Sequence, residues 1–312
     1  MPLAGHFWTI APYASSLLGP APPVGGHEWS VSVADPVFGG VRLTGRLVER
    51  PGAARILVVV HGLGGSTDSH YVRSLAAVVE RSSLSALYVN LRGADRRGED
   101  FYHAGLTSDL RAVLSSPAVA RHDDAVVLGF SLGGHLALAL GCEAPPPSLR
   151  AVAALCSPLD LARTARHIDR ARSAPYRRHV LRGLKEMYAA QSRPELLPLS
   201  RRAAHGIQSL VDWDERIVAR RHGFESAAHY YSVASAGPRL GDLALPALYV
   251  GADADPMVTR ADSEPSLRRA PGRLDVRWVR RGGHVGFPRD VDLGLGGALG
   301  VEPQLVRYLE RA

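Results

Sequence analysis

Ser131 lies in the motif GFSLG, which spans residues 129–133 and fits the pattern Gly-x-Ser-x-Gly. An apolar, β-branched run precedes the motif and an apolar helical segment follows it, which is the context that this pattern requires. The sharp strand-to-helix turn projects the serine oxygen above the sheet, and the N-terminus of the helix stabilises developing negative charge. A chance match at a helix start is the alternative, but the context favours Ser131 as a nucleophile.

A serine nucleophile needs a base and an orienting carboxylate, which follow this motif in the chain order Ser, acid, His. His284 follows the apolar run 274–279 in the glycine-rich loop GGHVGF, and it is the predicted base. Asp253 and Asp255 follow the run 247–250, so both loops leave the carboxyl ends of strands on the side of Ser131. Asp255, which precedes a proline, is the favoured acid, and Asp253 remains the alternative.

The segment HGLGG at residues 61–65 directly follows the buried run 56–60. In hydrolases of this build, a loop at this point donates one backbone N–H to an oxyanion hole, and the residue after the nucleophile donates another. The predicted donors are the amides of Leu63 and Leu132, with His61 supporting the loop. The segment lacks the spacing and the lysine of a phosphate-binding P-loop. No pattern predicts a metal site or a cofactor.

Composition excludes several classes of protein. The 312 residues are 46% hydrophobic, which is typical of a globular chain. The net charge of +7 comes from basic residues scattered singly and in pairs, so nucleic acid is not an expected partner. Neither a signal peptide nor an apolar run of membrane-spanning length is found, so we expect a cytoplasmic protein. Transient contact with a membrane surface stays open, and the sequence does not fix an oligomeric state.

Buried strands and amphipathic helices alternate from residue 56 onward, after an antiparallel hairpin at about 29–48. This order predicts a mostly parallel α/β sheet with flanking helices. The alternation stops over residues 158–242, which are polar and helical in pattern. We therefore expect a core of residues 1–157 and 243–312, with a helical cap inserted over the crevice. We expect an apolar face of the cap, which includes Leu184 and Met187, to enclose the substrate as a whole. For any single residue of that face, the alternative of packing the cap on the core is favoured.

Further short motifs resemble the YheT-like branch of the α/β-hydrolase superfamily over nearly the whole chain. They include GHFWTI at 5–10, NLRG at 90–93, YHAG at 102–105, DWD at 212–214, GF at 223–224 and YY at 230–231. The resemblance implies an α/β-hydrolase fold with a helical cap and a serine hydrolase that acts on esters or acyl lipids. It also selects Asp255 as the acid. We expect Tyr102 to brace its loop and Trp213 to pin the cap to the core, rather than to bind substrate.

The predicted activity is hydrolysis of a carboxylic ester through an acyl-enzyme, on a small-molecule ester or a short- to medium-chain acyl lipid. The same three residues could instead transfer the acyl group to an alcohol, as some members of the branch do. A non-catalytic ligand-binding protein that retains the fold is the third interpretation. The complete Ser-Asp-His order argues against it.

Overall fold

A computed structural model describes residues 2–19 and 21–312. Its centre is an eight-stranded sheet with the spatial order β1-β2-β4-β3-β5-β6-β7-β8. The strands are β1 His27–Asp35, β2 Gly39–Val48, β3 Arg55–Val60, β4 Ser85–Asn90, β5 Asp124–Phe130, β6 Leu149–Leu155, β7 Ala247–Ala252 and β8 Leu274–Val279. The hairpin β1–β2 pairs antiparallel and joins β4 antiparallel, and all other pairs are parallel. The predicted mostly parallel sheet with an antiparallel edge is confirmed.

Helices cover both faces of this sheet, as the α/β pattern predicted. The helices are α1 Pro2–Leu18, α2 His70–Val79, α3 Thr107–Leu114, α4 Pro117–Ala120, α5 Leu132–Gly141, α6 Leu161–Ile168, α7 Ala174–Ala189, α8 Arg201–His205, α9 Leu210–Trp213, α10 Ala219–His222, α11 Ala227–Ala234, α12 Arg260–Leu267 and α13 Val301–Arg311. Along β3, Val58 and Val60 enter one apolar cluster, whereas Leu57 and Val59 enter the other. This period of two explains the continuous apolar run, because both faces are buried.

Helices α6 to α11 lie between β6 and β7, which are direct neighbours in the sheet. Their apolar residues, including Ile168, Leu184 and Trp213, belong to the same buried cluster as α5 and one face of the sheet. The chain therefore leaves the carboxyl end of β6, builds a helical layer on that face and returns to the next strand. No helix of the described residues is long and apolar enough to cross a membrane.

Helix α1 was not predicted from the sequence. Its segment carries Pro12 and is followed by a stretch rich in glycine and proline, which favoured irregular structure. Gly5 of this helix packs directly on another backbone: a Cβ at Gly5 would lie 1.7 Å from the carbonyl oxygen of Ala254. Tertiary contact thus outweighs local propensity here.

A buried cluster of charges ties the N-terminal hairpin, the loop after β4 and α10 together. Arg221 of α10 donates to Asp35 at 2.9 Å and to Asp100 at 2.7 Å. Arg92 donates to the same two carboxylates at 2.7 and 3.0 Å, and also to both oxygens of Asp109. All five side chains are buried. Because these charges are buried away from water, removal of one member leaves a buried charge without its ionic partner.

We predict that Arg221→Met destabilises the protein by about 3 to 5 kcal/mol, because Asp35 and Asp100 lose a charged donor without gaining water. The matched control is Arg216→Met, which removes a half-exposed pair with Asp212 at 3.3 Å and should cost less than about 1 kcal/mol. Urea unfolding followed by circular dichroism measures both. Equal losses in the two variants would contradict the assigned role of the cluster.

Candidate active site

Ser131 occupies a strained turn between β5 and α5. Its φ of +50° and ψ of −117° lie where side chains are rarely found. The flanking glycines make this turn possible: a Cβ at Gly129 would lie 2.2 Å from the backbone of Gly133, and one at Gly133 would lie 2.3 Å from the Val60 oxygen. Strands β5 and β3 and helix α5 can therefore approach each other this closely only because residues 129 and 133 have no side chains. This packing holds Ser131 above the sheet.

The structure brings Ser131, His284 and Asp255 into one hydrogen-bonded chain. His284 Nε2 lies 3.1 Å from Ser131 Oγ, and His284 Nδ1 lies 2.9 Å from Asp255 Oδ2. The other oxygen of Asp255 accepts the backbone N–H groups of Met257 and Val258 at 2.8 and 2.9 Å. These bonds fix the carboxylate, which in turn orients the imidazole so that Nε2 faces the serine.

Asp253, the alternative acid, lies elsewhere. Its carboxylate pairs with Arg260 at 2.8 Å, and both side chains are about one-third or more exposed. The backbone N–H of Asp253 donates to the Val279 oxygen, which directs this residue along the edge of the sheet rather than toward the imidazole. Of the two carboxylates, the geometry thus joins Asp255 to His284.

Helix α1 holds the histidine loop from the opposite side. The backbone N–H of His284 donates to Thr9 Oγ1 at 2.8 Å, and the Thr9 hydroxyl donates to the Gly5 oxygen at 2.7 Å. A Cβ at Gly283 would lie 2.2 Å from the same Gly5 oxygen, so the loop and the helix share a backbone contact. The role of Thr9 was missed, although the motif at residues 5–10 drew attention to this segment.

Two tyrosines clamp the glycine-rich loop beside Ser131. Gly62, whose added Cβ would lie 3.1 Å from Ser131 Cβ, donates its N–H to Tyr71 at 3.0 Å. Gly64 donates its N–H to the Tyr102 hydroxyl at 2.6 Å. The amide between these two fixed points is that of Leu63, and the amide after Ser131 is that of Leu132 at the start of α5. Burial raises the pKa of both tyrosines, so both hydroxyls stay neutral.

His61 supports this loop, as expected. Its Nε2 accepts the backbone N–H of Leu91 at 3.1 Å, which places the proton on Nδ1, where it is donated to the Gly62 oxygen at 2.8 Å. Burial lowers the pKa of His61 to about 4, so the ring is neutral at pH 7. A neutral histidine bridging two loops is a structural element of the site rather than a base.

Cys156 lies behind the carboxylate of Asp255. Its buried thiol approaches the Gly283 oxygen at 3.6 Å, and its φ of +52° is strained. Burial and the neighbouring Asp255 carboxylate raise the pKa of the thiol well above its ordinary value. Among the described residues, Cys156, Asp255 and His284 have ligand atoms within 4.8 Å of one another. The Asp255 and His284 atoms already serve the hydrogen-bonded chain.

A cavity of about 870 Å³ opens above Ser131 and His284. Leu63 and Tyr102 line it from the core, and the insertion contributes mainly apolar side chains, including Ile168, Val180, Leu184, Trp213 and Tyr230. Met187, expected at this surface, is buried but does not line the cavity and packs beside Gly93. Tyr102 braces the glycine-rich loop at Gly64 and also borders the cavity. Tyr230 borders the cavity too, and it braces the loop after β4, because its hydroxyl accepts the Ala104 N–H at 2.9 Å.

Comparison with known proteins agrees with this arrangement. A sequence profile described as "Alpha/beta hydrolase family" matches residues 57–292, and the chain belongs to that family. Within it, the chain is 30% identical over 256 residues to "Putative esterase YheT" of Escherichia coli (strain K12), covering 80% of this chain and 73% of that protein. That match places it in the YheT-like branch.

Two further similarities are more distant. The chain is 26% identical over 262 residues to "Medium-chain fatty acid ethyl ester synthase/esterase 2" of Saccharomyces cerevisiae, covering 74% of this chain and 58% of that protein. It thus spans less than two-thirds of the yeast protein. The crystal structure of the Pyrococcus furiosus esterase Pf2001 superimposes with a TM-score of 0.53 at 14% identity, covering 83% of this chain and 85% of that chain. This second likeness concerns the fold.

The contrast between the two aspartates gives a direct test of the site. We predict that a fluorophosphonate labels the native protein at Ser131, and that Asp255→Asn slows labelling by about a hundredfold or more, because the amide no longer fixes the imidazole tautomer. Asp253→Asn is the control and should label within about threefold of the wild type, since it changes an exposed pair. Mass spectrometry of the labelled peptide gives the rates. The reverse order of losses would assign the acid to Asp253.

Proposed function

We propose that this protein hydrolyses a carboxylic ester through an acyl-enzyme, with Ser131 as nucleophile, His284 as base and Asp255 as orienting acid. The observation that carries the proposal is the hydrogen-bonded chain from Asp255 through His284 to Ser131, which ends at the floor of an apolar cavity. The named esterases among its relatives support the same activity.

The reaction follows from the positions of these groups. Ser131 Oγ attacks the ester carbon while its proton passes to His284 Nε2, and Asp255 stabilises the imidazolium that forms. The backbone N–H groups of Leu63 and Leu132 donate to the developing oxyanion, each lowering the barrier by about 3 kcal/mol. His284 then gives its proton to the departing alcohol. Water, deprotonated by the same nitrogen, attacks the acyl-serine and releases the acid.

We propose that residues 158–242 act as a cap that encloses the acyl group. The apolar side chains that α6 and α7 turn toward the cavity support this role, since an acyl chain gains free energy by leaving water there. The expected substrates are therefore acyl esters or acyl lipids of short to medium chain length, in a site that needs no cofactor.

Acyl transfer to an alcohol is the second candidate. The same three residues perform it when an alcohol replaces water in the second step, and the yeast relative is named both an ethyl ester synthase and an esterase. An apolar cavity that excludes water from the acyl-enzyme favours transfer. The products formed in buffer with added ethanol separate the two activities. If the ratio of ethyl ester to free acid exceeds the ratio of ethanol to water in the buffer, the protein transfers the acyl group in preference to hydrolysing it.

The first test of the proposal is hydrolysis of short p-nitrophenyl esters. We predict that Ser131→Ala reduces kcat/KM by at least about a thousandfold, because no other group can form the acyl intermediate. The exposed Ser30 on β1 gives the control variant Ser30→Ala, which should retain wild-type activity. Circular dichroism should show that both variants are folded. Activity of Ser131→Ala within tenfold of the wild type would exclude the assigned nucleophile.

The cap proposal predicts a change of chain-length preference at Leu184, whose buried side chain lines the cavity. Leu184→Ala should shift the preferred p-nitrophenyl ester toward longer acyl chains, and Leu184→Phe toward shorter ones, because they enlarge and reduce the acyl space. The control is Met187→Ala, on the same helix but outside the cavity lining. It should lower stability by about 2 to 5 kcal/mol and leave the preference unchanged. An unaltered preference in both Leu184 variants would mean that the cap only supports the fold.

A further inference from the structure

Helix α1 exposes a row of large apolar side chains. Leu3, Phe7, Ile10 and Leu17 recur at the spacing of one helix face, and they are 82%, 59%, 48% and 68% exposed. With Leu18, they make up five of the eight large apolar side chains that are exposed in the described part of the chain. Residues 2–26 contain no Asp, Glu, Lys or Arg. We call the row from Leu3 to Leu18 the α1 stripe.

The α1 stripe cannot turn inward, because the other side of the helix is already bound to the active site. Gly5 contacts the backbones of Ala254 and Gly283, and Thr9 holds the N–H of His284. The helix is thus anchored with its apolar side facing solvent. An apolar surface of this kind marks a contact with another phase or molecule.

The stripe runs into the mouth of the cavity. Ile10 and Leu17 line the cavity and are also about half or more exposed, so they lie where the cavity meets solvent. A surface that covered the stripe would therefore also face the entrance above Ser131. This continuity joins the exposed face to the substrate path.

Positive charge flanks the stripe. Helix α7 carries four cations, at residues 177, 178, 182 and 185, against the single carboxylate of Glu186. Arg182 donates to the Tyr13 hydroxyl of α1 at 3.2 Å, so α7 lies directly beside the stripe. Arg178 and Arg182 are exposed, whereas Glu186 is paired with Arg96 at 3.1 Å. On an anionic lipid surface, the uncharged apolar row suits the hydrocarbon region, and the basic residues beside it suit the negatively charged headgroups.

We propose that α1 docks this protein on an anionic lipid surface, with the stripe in the interface and the cavity mouth facing the lipid. A second copy of the chain is a poorer occupant, because pairing of two stripes would bring the basic α7 helices of both copies together. The docking goes beyond the proposed ester hydrolysis and does not require it. When both hold, the bilayer delivers apolar substrates directly to the cavity.

The test is co-sedimentation of the full chain with vesicles of phosphatidylcholine containing one-quarter phosphatidylglycerol. The wild type should sediment with these vesicles, and less with pure phosphatidylcholine or at high salt, which screens the arginines. The double variant Leu3→Ser/Phe7→Ser should partition at least tenfold less onto the vesicles, because it removes two apolar side chains from the lipid contact. Neither residue lines the cavity, so the substrate site is left unchanged. The matched control is Val37→Ser/Leu299→Ser, which alters exposed apolar residues elsewhere and should bind as the wild type does.

Three outcomes overturn the proposal: no sedimentation of the wild type, equal binding by the Leu3→Ser/Phe7→Ser variant, or equal loss in the control variant. Light scattering on the same samples tests a fourth outcome. If the wild type is a dimer and the Leu3→Ser/Phe7→Ser variant is a monomer, a second copy of the chain covers the stripe and the proposal is wrong. Hydrolysis of a soluble short ester should be unchanged in the stripe variant. Binding to vesicles without any ester hydrolysis would sustain the docking and reject the proposed function.

Discussion

The backbone of Ser131, at a φ of +50°, is the constraint on which the site depends. Such a conformation costs on the order of 1 to 3 kcal/mol and persists only where the surroundings determine it. Here two close backbone contacts impose the conformation, one between Gly129 and Gly133 and the other between Gly133 and β3. A larger residue at either glycine would push the helix from the sheet. The position of the serine oxygen is therefore fixed by the packing of the core itself.

The groups around that oxygen are each held from two directions. Asp255 and Thr9 hold His284 through its ring and its backbone, respectively. Tyr71 and Tyr102 hold the loop on either side of the Leu63 amide. Because these supports come from α1, α2 and the loops after β4 and β7, the site is set before substrate arrives. Such preorganisation is the main source of electrostatic stabilisation in enzymes.

The sequence allowed the sheet and the elements around Ser131 to be predicted because their signals are local. Continuous β-branched runs such as 56–60 mark strands buried on both faces, and the glycine motif marks the turn. Sequence patterns favoured Asp255 over Asp253 as the partner of His284, but the choice depends on how one loop turns in space. The proline and glycines near α1 obscured a helix that packs on the His284 loop and on Ala254, contacts that lie far away in the sequence. Likewise, Leu184 and Met187 lie on one helix, and only its rotation on the core decides which one reaches the cavity.

The cavity links these local features to the remainder of the chain. Its floor belongs to the core, its walls to the helices between β6 and β7, and part of its mouth to α1. Outside the cavity lining, the buried cluster of Arg92, Arg221 and three aspartates joins α10 to the core. Because loss of one partner would leave a buried charge unpaired, these ion pairs stabilise the position of α10 on the core.

The central claim is that Ser131 becomes acylated during turnover. Rapid acid quenching of the protein with p-nitrophenyl butyrate, followed by mass spectrometry of the digested chain, measures this directly. The account predicts a butyryl adduct on the peptide that contains Ser131, formed within the first turnover and decaying as substrate is exhausted. Hydrolysis that proceeds with Ser131 unmodified at every time, or with the adduct on another residue, would contradict it.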